Sequence, residues 1–118
     1  VPQEWLAIIN EFGGEIPETY GEPVEEIQEG IRNGVRKVNI DTDLRMAATG
    51  SIRKFLHENP KEFDPRKYNK VAKDAMKAIC KARFEAFGAA GNASKLKRVS
   101  IEDMAVKYAN GELDPRVK

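Results

Sequence analysis

Apolar residues recur at helical spacing along most of this chain, and one short stretch alternates instead. Trp5, Ile8, Ile9 and Phe12 share one face of a helix over residues 3–12, which Gly13-Gly14 stops. Glu15 to Pro23 reads as a loop punctuated by Pro17, Gly21 and Pro23. Pro23 suits the first position of a second helix, with Glu25 and Glu26 in its positive first turn. Val24, Ile27 and Ile31 form that helix's face, and Asn33-Gly34 ends it. Residues 35–41 then alternate, Val38 and Ile40 on one side and Asn39 and Asp41 on the other, which predicts a strand.

A helix over 43–58 follows, with Thr42 or Asp43 as its cap and Leu44, Ala47, Ala48, Ile52, Phe55 and Leu56 as its apolar face. Asn59-Pro60 ends it. A longer helix over 65–87 gathers Tyr68, Val71, Ala72, Ala75, Met76, Ile79 and Phe87 on one face, with Lys70, Lys73, Lys77 and Lys81 opposite. Arg83 is out of place there, in the middle of the apolar face between the Met76 and Ile79 directions. After a small-residue break at Gly88 to Ser94, Ser100 caps a last helix over 101–109, with Ile101, Met104, Ala105 and Tyr108 facing inward. The tail from Asp114 to Lys118 is expected to fray.

One strand among helices cannot satisfy its own backbone, so the chain reads as a single piece, 1–118, of a larger α/β protein. Its opening, Val1-Pro2-Gln3-Glu4 with no initiator Met, agrees. At 118 residues, 41% hydrophobic and 33% charged, the composition fits one globular unit and no disordered tract. The longest apolar run, Trp5 to Ile9, is far short of the roughly 20 residues a membrane span requires, so no membrane partner is expected. A single cysteine, Cys80, excludes an internal disulfide framework and suits a reducing, cytoplasmic setting. With one histidine, His57, the chain is also short of ligands for a zinc site of its own.

Net charge is +1, yet residues 1–31 carry eight acidic and no basic side chains, leaving 20 basic against 11 acidic residues, +9, downstream. Such a split can mark a nucleic-acid surface. Here Tyr68, Phe84 and Phe87 belong to apolar stripes instead of being interleaved with the lysines for stacking, so solvated helix faces explain the charges better.

The chemistry concentrates where the alternating segment runs into a helix. Asn39 and Asp41 project from the same side at its C-terminal end, and Thr42 falls at a helix start with free N–H groups. Amide, carboxylate, hydroxyl and backbone N–H groups together suit a phosphorylated, hydroxylated ligand, and in α/β proteins ligands gather at that edge. The plainer alternative is that Asn39 serves the backbone while Asp41, Thr42 and Asp43 compete to cap the helix.

Gly34-Val35-Arg36-Lys37-Val38-Asn39-Ile40-Asp41-Thr42-Asp43-Leu44 resembles the last barrel strand of the class II, zinc-dependent fructose-bisphosphate aldolases. The flanks Gly13-Gly14-Glu15-Ile16-Pro17-Glu18-Thr19-Tyr20-Gly21 and Lys81-Ala82-Arg83-Phe84-Glu85-Ala86-Phe87-Gly88 resemble the Calvin-cycle-type bacterial branch, so the likeness covers essentially the whole chain. It implies the C-terminal portion of a (β/α)8 TIM barrel, mostly helical with about one strand. It also implies cleavage of fructose 1,6-bisphosphate to dihydroxyacetone phosphate and glyceraldehyde 3-phosphate, and a homo-oligomer, dimer or tetramer.

By the same resemblance Asn39, Ile40, Asp41 and Thr42 bind the dihydroxyacetone phosphate portion, and Asp43 caps or supports them. Zn2+ is implied for the parent, its three histidine ligands and the proton-transferring acids lying upstream of Val1, so the piece alone is expected to be inactive. His57 matches none of these ligands and reads as a solvent-facing helix histidine. Glu18 and Glu22 read as solvated loop carboxylates. For Arg83 two roles stay open: a grip on the second phosphate in a neighbouring subunit's site, or an ion pair with a carboxylate elsewhere in the fold. Cys80 reads as a small half-buried hydrophobe. The alternatives are a helical interaction module, a nucleic-acid-binding module using the Lys70–Lys81 stripe, and a tagatose-bisphosphate aldolase.

Overall fold

The computed structural model describes residues 1–116. Five α-helices follow one another: α1 (Gln3–Glu11), α2 (Val24–Arg32), α3 (Thr42–Glu58), α4 (Pro65–Ala86) and α5 (Ile101–Ala109), with a 3₁₀ turn at Ala93–Lys95 before the last. The frayed tail expected at 114–118 falls partly outside the described residues, at 117 and 118.

Local chemistry explains most boundaries. Gly13 takes φ +86°, a left-handed turn few other residues adopt, and the next amide, Gly14 N–H, donates to the Ile9 carbonyl at 2.8 Å. Gly34, at φ +112°, ends α2 in a similar way and lets Val35 N–H reach the Gly30 carbonyl at 2.9 Å. Asp64 caps α4 by accepting from Arg66 N–H at 3.0 Å, with Pro65 as first helical residue. Ser100 Oγ accepts from Asp103 N–H at 3.0 Å and starts α5.

Packing centres on α3, which touches α1 on one side and α4 on the other. Leu6 and Ile9 of α1 meet Met46 of α3, with Val1, Trp5 and Ile16 around them. Ala47, Gly50 and, from α4, Ala72 are buried as well, so small residues let the helices approach closely. Elsewhere the chain is open. Its radius of gyration is 19.7 Å, against about 13–14 Å for a compact domain of this length. No helix among the described residues is long and apolar enough to cross a membrane.

Two expectations require correction. The strand at 35–41 does not form, and among the described residues the chain has no strand. Residues 36–41 donate no backbone hydrogen bond to another backbone group, because no neighbouring strand lies beside them. Their alternation nevertheless persists, with Val38 and Ile40 half-buried and Asn39 and Asp41 exposed. The inward face of α5 is likewise mostly uncovered: Met104 is half-buried, but Ile101 is 84% and Tyr108 68% exposed and Ala105 is exposed, since no helix packs extensively against α5.

Two outcomes follow from this packing. A Cβ on Gly50 would lie 2.9 Å from Trp5 Cε3 and 3.3 Å from Ile9 Cγ1. Gly50→Ala should therefore destabilise, overpacking of about 1–3 kcal/mol outweighing the roughly 1 kcal/mol of helix propensity gained. Denaturant unfolding checks the sign, and a raised midpoint would refute the close approach. Amide exchange supplies the second check: residues 36–41 should exchange orders of magnitude faster than the buried turns of α3. Strong protection across Val38 to Asp41 would mean a paired strand after all.

Candidate functional site

The segment joining α2 to α3 forms one wall of a cleft of about 640 Å³. Val38 to Asp43 line it together with Thr19, Tyr20 and Glu22 from the α1–α2 loop and Arg83 and Phe87 from the end of α4. A second, more apolar cleft of about 440 Å³ adjoins it, bounded by Ile31, Val35, Cys80 and Phe84. Val38, Ile40 and Arg83 border both.

The start of α3 differs from the capping alternative. Asp41 occupies the cap position, but its side chain makes no capping bond. Its backbone carbonyl receives the Leu44 and Arg45 amides, each at 3.0 Å, while Oδ1 accepts from Arg45 Nε at 2.8 Å. This is an exposed i,i+4 pair, legible from spacing alone but not picked out in the sequence analysis. Thr42 is the first helical residue, and Asp43 sits inside the first turn with its carboxylate turned toward α4. Asn39 is exposed, its side-chain oxygen accepting from Lys37 Nζ. Both side chains are thus exposed on the cleft wall with only local partners, and the Asp41 carboxylate does not cap the helix.

Arg83 finds a partner across the fold. Its Nη2 lies 3.2 Å from Asp43 Oδ2, joining residues 40 apart in sequence, with side chains only 21% and 19% exposed. That pairing answers the oddity of a cation on an apolar helix face. The other Asp43 oxygen is 3.6 Å from the Val1 amino group.

Further groups border or miss the site. Tyr20 lines the cleft and donates its hydroxyl to Glu18, and this bond, with a smaller contribution from desolvation, raises the phenol's pKa. Glu22 borders the cleft as an exposed carboxylate. His57 is about 21 Å farther along the α3 axis than Asp43, where its ring meets Phe12 at a 52° tilt with centroids 5.0 Å apart. Among the described residues no three His, Cys, Asp or Glu side chains are grouped to hold a metal ion. The donor set of this cleft suits a hydroxylated, phosphorylated ligand; it does not suit zinc.

Comparison with known proteins gives these residues a context. The chain is 70% identical over 117 residues to a fructose-bisphosphate aldolase of Pseudomonas aeruginosa, covering 99% of this chain and 33% of that protein. It is 61% identical over 118 residues to one from Sinorhizobium medicae, 100% of the chain and 33% of the relative. A fructose-bisphosphate aldolase class 2 from Synechocystis is 58% identical over 113 residues, 96% of the chain and 32% of the relative. The chain thus spans about a third of the length of the curated relatives it matches. With the family model for class-II fructose-bisphosphate aldolase matching residues 18–92, a span that holds the whole Asn39–Asp43 motif and Arg83, the chain belongs to the class-II fructose-bisphosphate aldolase family.

Proposed function

We propose that this chain is the C-terminal, substrate-binding sector of an aldolase that reversibly cleaves fructose 1,6-bisphosphate into dihydroxyacetone phosphate and glyceraldehyde 3-phosphate. The observation that carries this is the Asn39–Thr42 segment lining a cleft with Asn39, Asp41 and Thr42 exposed, within a chain 70% identical to a named fructose-bisphosphate aldolase. Asn39 offers an amide, Asp41 a carboxylate acceptor, Ile40 its backbone and Thr42 a hydroxyl at a helix start, four partners for the triose-phosphate end of the substrate. Their work is binding and orientation, which alone can account for several kcal/mol of a barrier. Zn2+ belongs to the proposed whole enzyme, held by residues outside this chain, and supplies Lewis-acid chemistry there.

The same proposal places residues 35–41 as a strand of a (β/α)8 barrel once neighbouring strands pair with them. It makes the whole protein a cytoplasmic homo-oligomer, dimer or tetramer, acting in glycolysis, gluconeogenesis or the Calvin cycle. A sugar bisphosphate is the partner, with no nucleic acid or membrane involved. Fructose and tagatose bisphosphates differ at one stereocentre, and kinetics on both would separate them.

In the full-length enzyme, Asn39→Ala or Asp41→Ala should lower kcat/KM by at least about 10²-fold, as expected when a positioned contact is lost. Near-wild-type kinetics for both would return these residues to a purely local role. Arg83 offers a second comparison. If it grips the remote phosphate, Arg83→Ala must penalise the bisphosphate far more than fructose 1-phosphate; as an arginine committed to Asp43, it must penalise both alike. The 3.2 Å ion pair supports the second outcome.

A further inference from the structure

The Asn39–Thr42 segment has no backbone ladder of its own. Its position rests on its two ends and on the half-buried side chains of Val38 and Ile40. At the N-terminal end, Val35 N–H donates to the Gly30 carbonyl and fastens the segment to the close of α2. At the C-terminal end the usual fastening, a side-chain cap on the helix, is missing, because the Asp41 carboxylate turns outward to Arg45. The side-chain link from the first turn of α3 to α4 is the Asp43 carboxylate on Arg83, with the second carboxylate oxygen near the Val1 amino group. The pair is four-fifths buried, and an ion pair removed from water stands up to screening and penalises the loss of either partner. Arg83 also borders both clefts that Val38 and Ile40 line.

We propose that Asp43 and Arg83 are a positioning pair, locking the start of α3 to α4 and thereby setting where Asn39, Asp41 and Thr42 meet the substrate. This rests on the substrate-binding reading of the segment given above. Neither residue touches the reacting atoms; the pair acts through the backbone between Asn39 and Asp43.

The test uses the full-length enzyme, assayed with fructose 1,6-bisphosphate and with fructose 1-phosphate well below each variant's unfolding temperature. Asp43→Asn and Arg83→Gln should each lower kcat/KM by about 10- to 100-fold, with matching profiles on the two substrates. Combining them should cost no more than the worse single change, because one interaction is lost either way. Arg83→Lys, which keeps the charge, should recover activity to within about fivefold of wild type. A purely structural pair would lower the unfolding temperature and leave kcat and KM of the folded enzyme unchanged. Single variants within about twofold of wild type, beside an Asn39→Ala variant that is badly impaired, would overturn the positioning pair alone. Additive losses in the double variant, or an Arg83→Gln loss confined to the bisphosphate, would overturn it too. An Asn39→Ala variant with near-wild-type kinetics would remove the reading on which the pair rests, and the pair with it.

Discussion

The close seating of α3 between α1 and α4 is the constraint on which the rest of this structure depends. Ala47, Gly50 and Ala72 keep the buried contact surfaces small, so backbones approach where larger side chains would hold them apart. At the middle of α3 this admits Trp5 and Ile9. Near its start it brings the α4 face close enough for Arg83 to reach Asp43. The C-terminal end is fastened more lightly, by the Phe12–His57 ring contact and by Arg53 Nη1 donating to the Phe12 carbonyl at 3.3 Å. A helix held at three places along its length is a firm platform for the residues that lead into it.

Those residues are under a second constraint, the demand of every backbone N–H and C=O for a partner. From Arg36 to Asp41 the chain has the side-chain alternation of a strand without the ladder of one. Exposure of its amides, of Ile101 and Tyr108 on α5, and of Leu96 at 81% gives this chain more unpartnered apolar and polar surface than a self-contained domain carries. The open shape agrees, and so does a length about a third that of its relatives.

The two anomalies of the sequence lead to the same place in the fold. One is an arginine among apolar positions of a helix, and the other is a cluster of polar groups at the end of an alternating segment. They lie 40 positions apart, and the structure joins them through Asp43. An exposed ion pair would contribute little, but here both side chains are about four-fifths covered, so losing either partner carries a penalty.

Local rules determined the helices: Gly13, Gly34, Pro60, Asp64 with Pro65, and Ser100 mark ends through φ restrictions and caps that act within a few residues. The Asn39–Asp43 motif and the misplaced Arg83 were legible for the same reason, being matters of spacing and residue type. The state of residues 35–41 was not, because a strand exists only when another strand lies beside it, and alternation specifies a face without supplying the partner. Nor was the face of α5, whose periodicity implies cover that the described residues do not provide. Which carboxylate would meet Arg83 was equally out of reach of the sequence. Asp41, Asp43, Asp64 and Asp74 were all available in sequence, and only the crossing of α3 and α4 decided among them, because an ion pair across a fold is set by where two backbones meet.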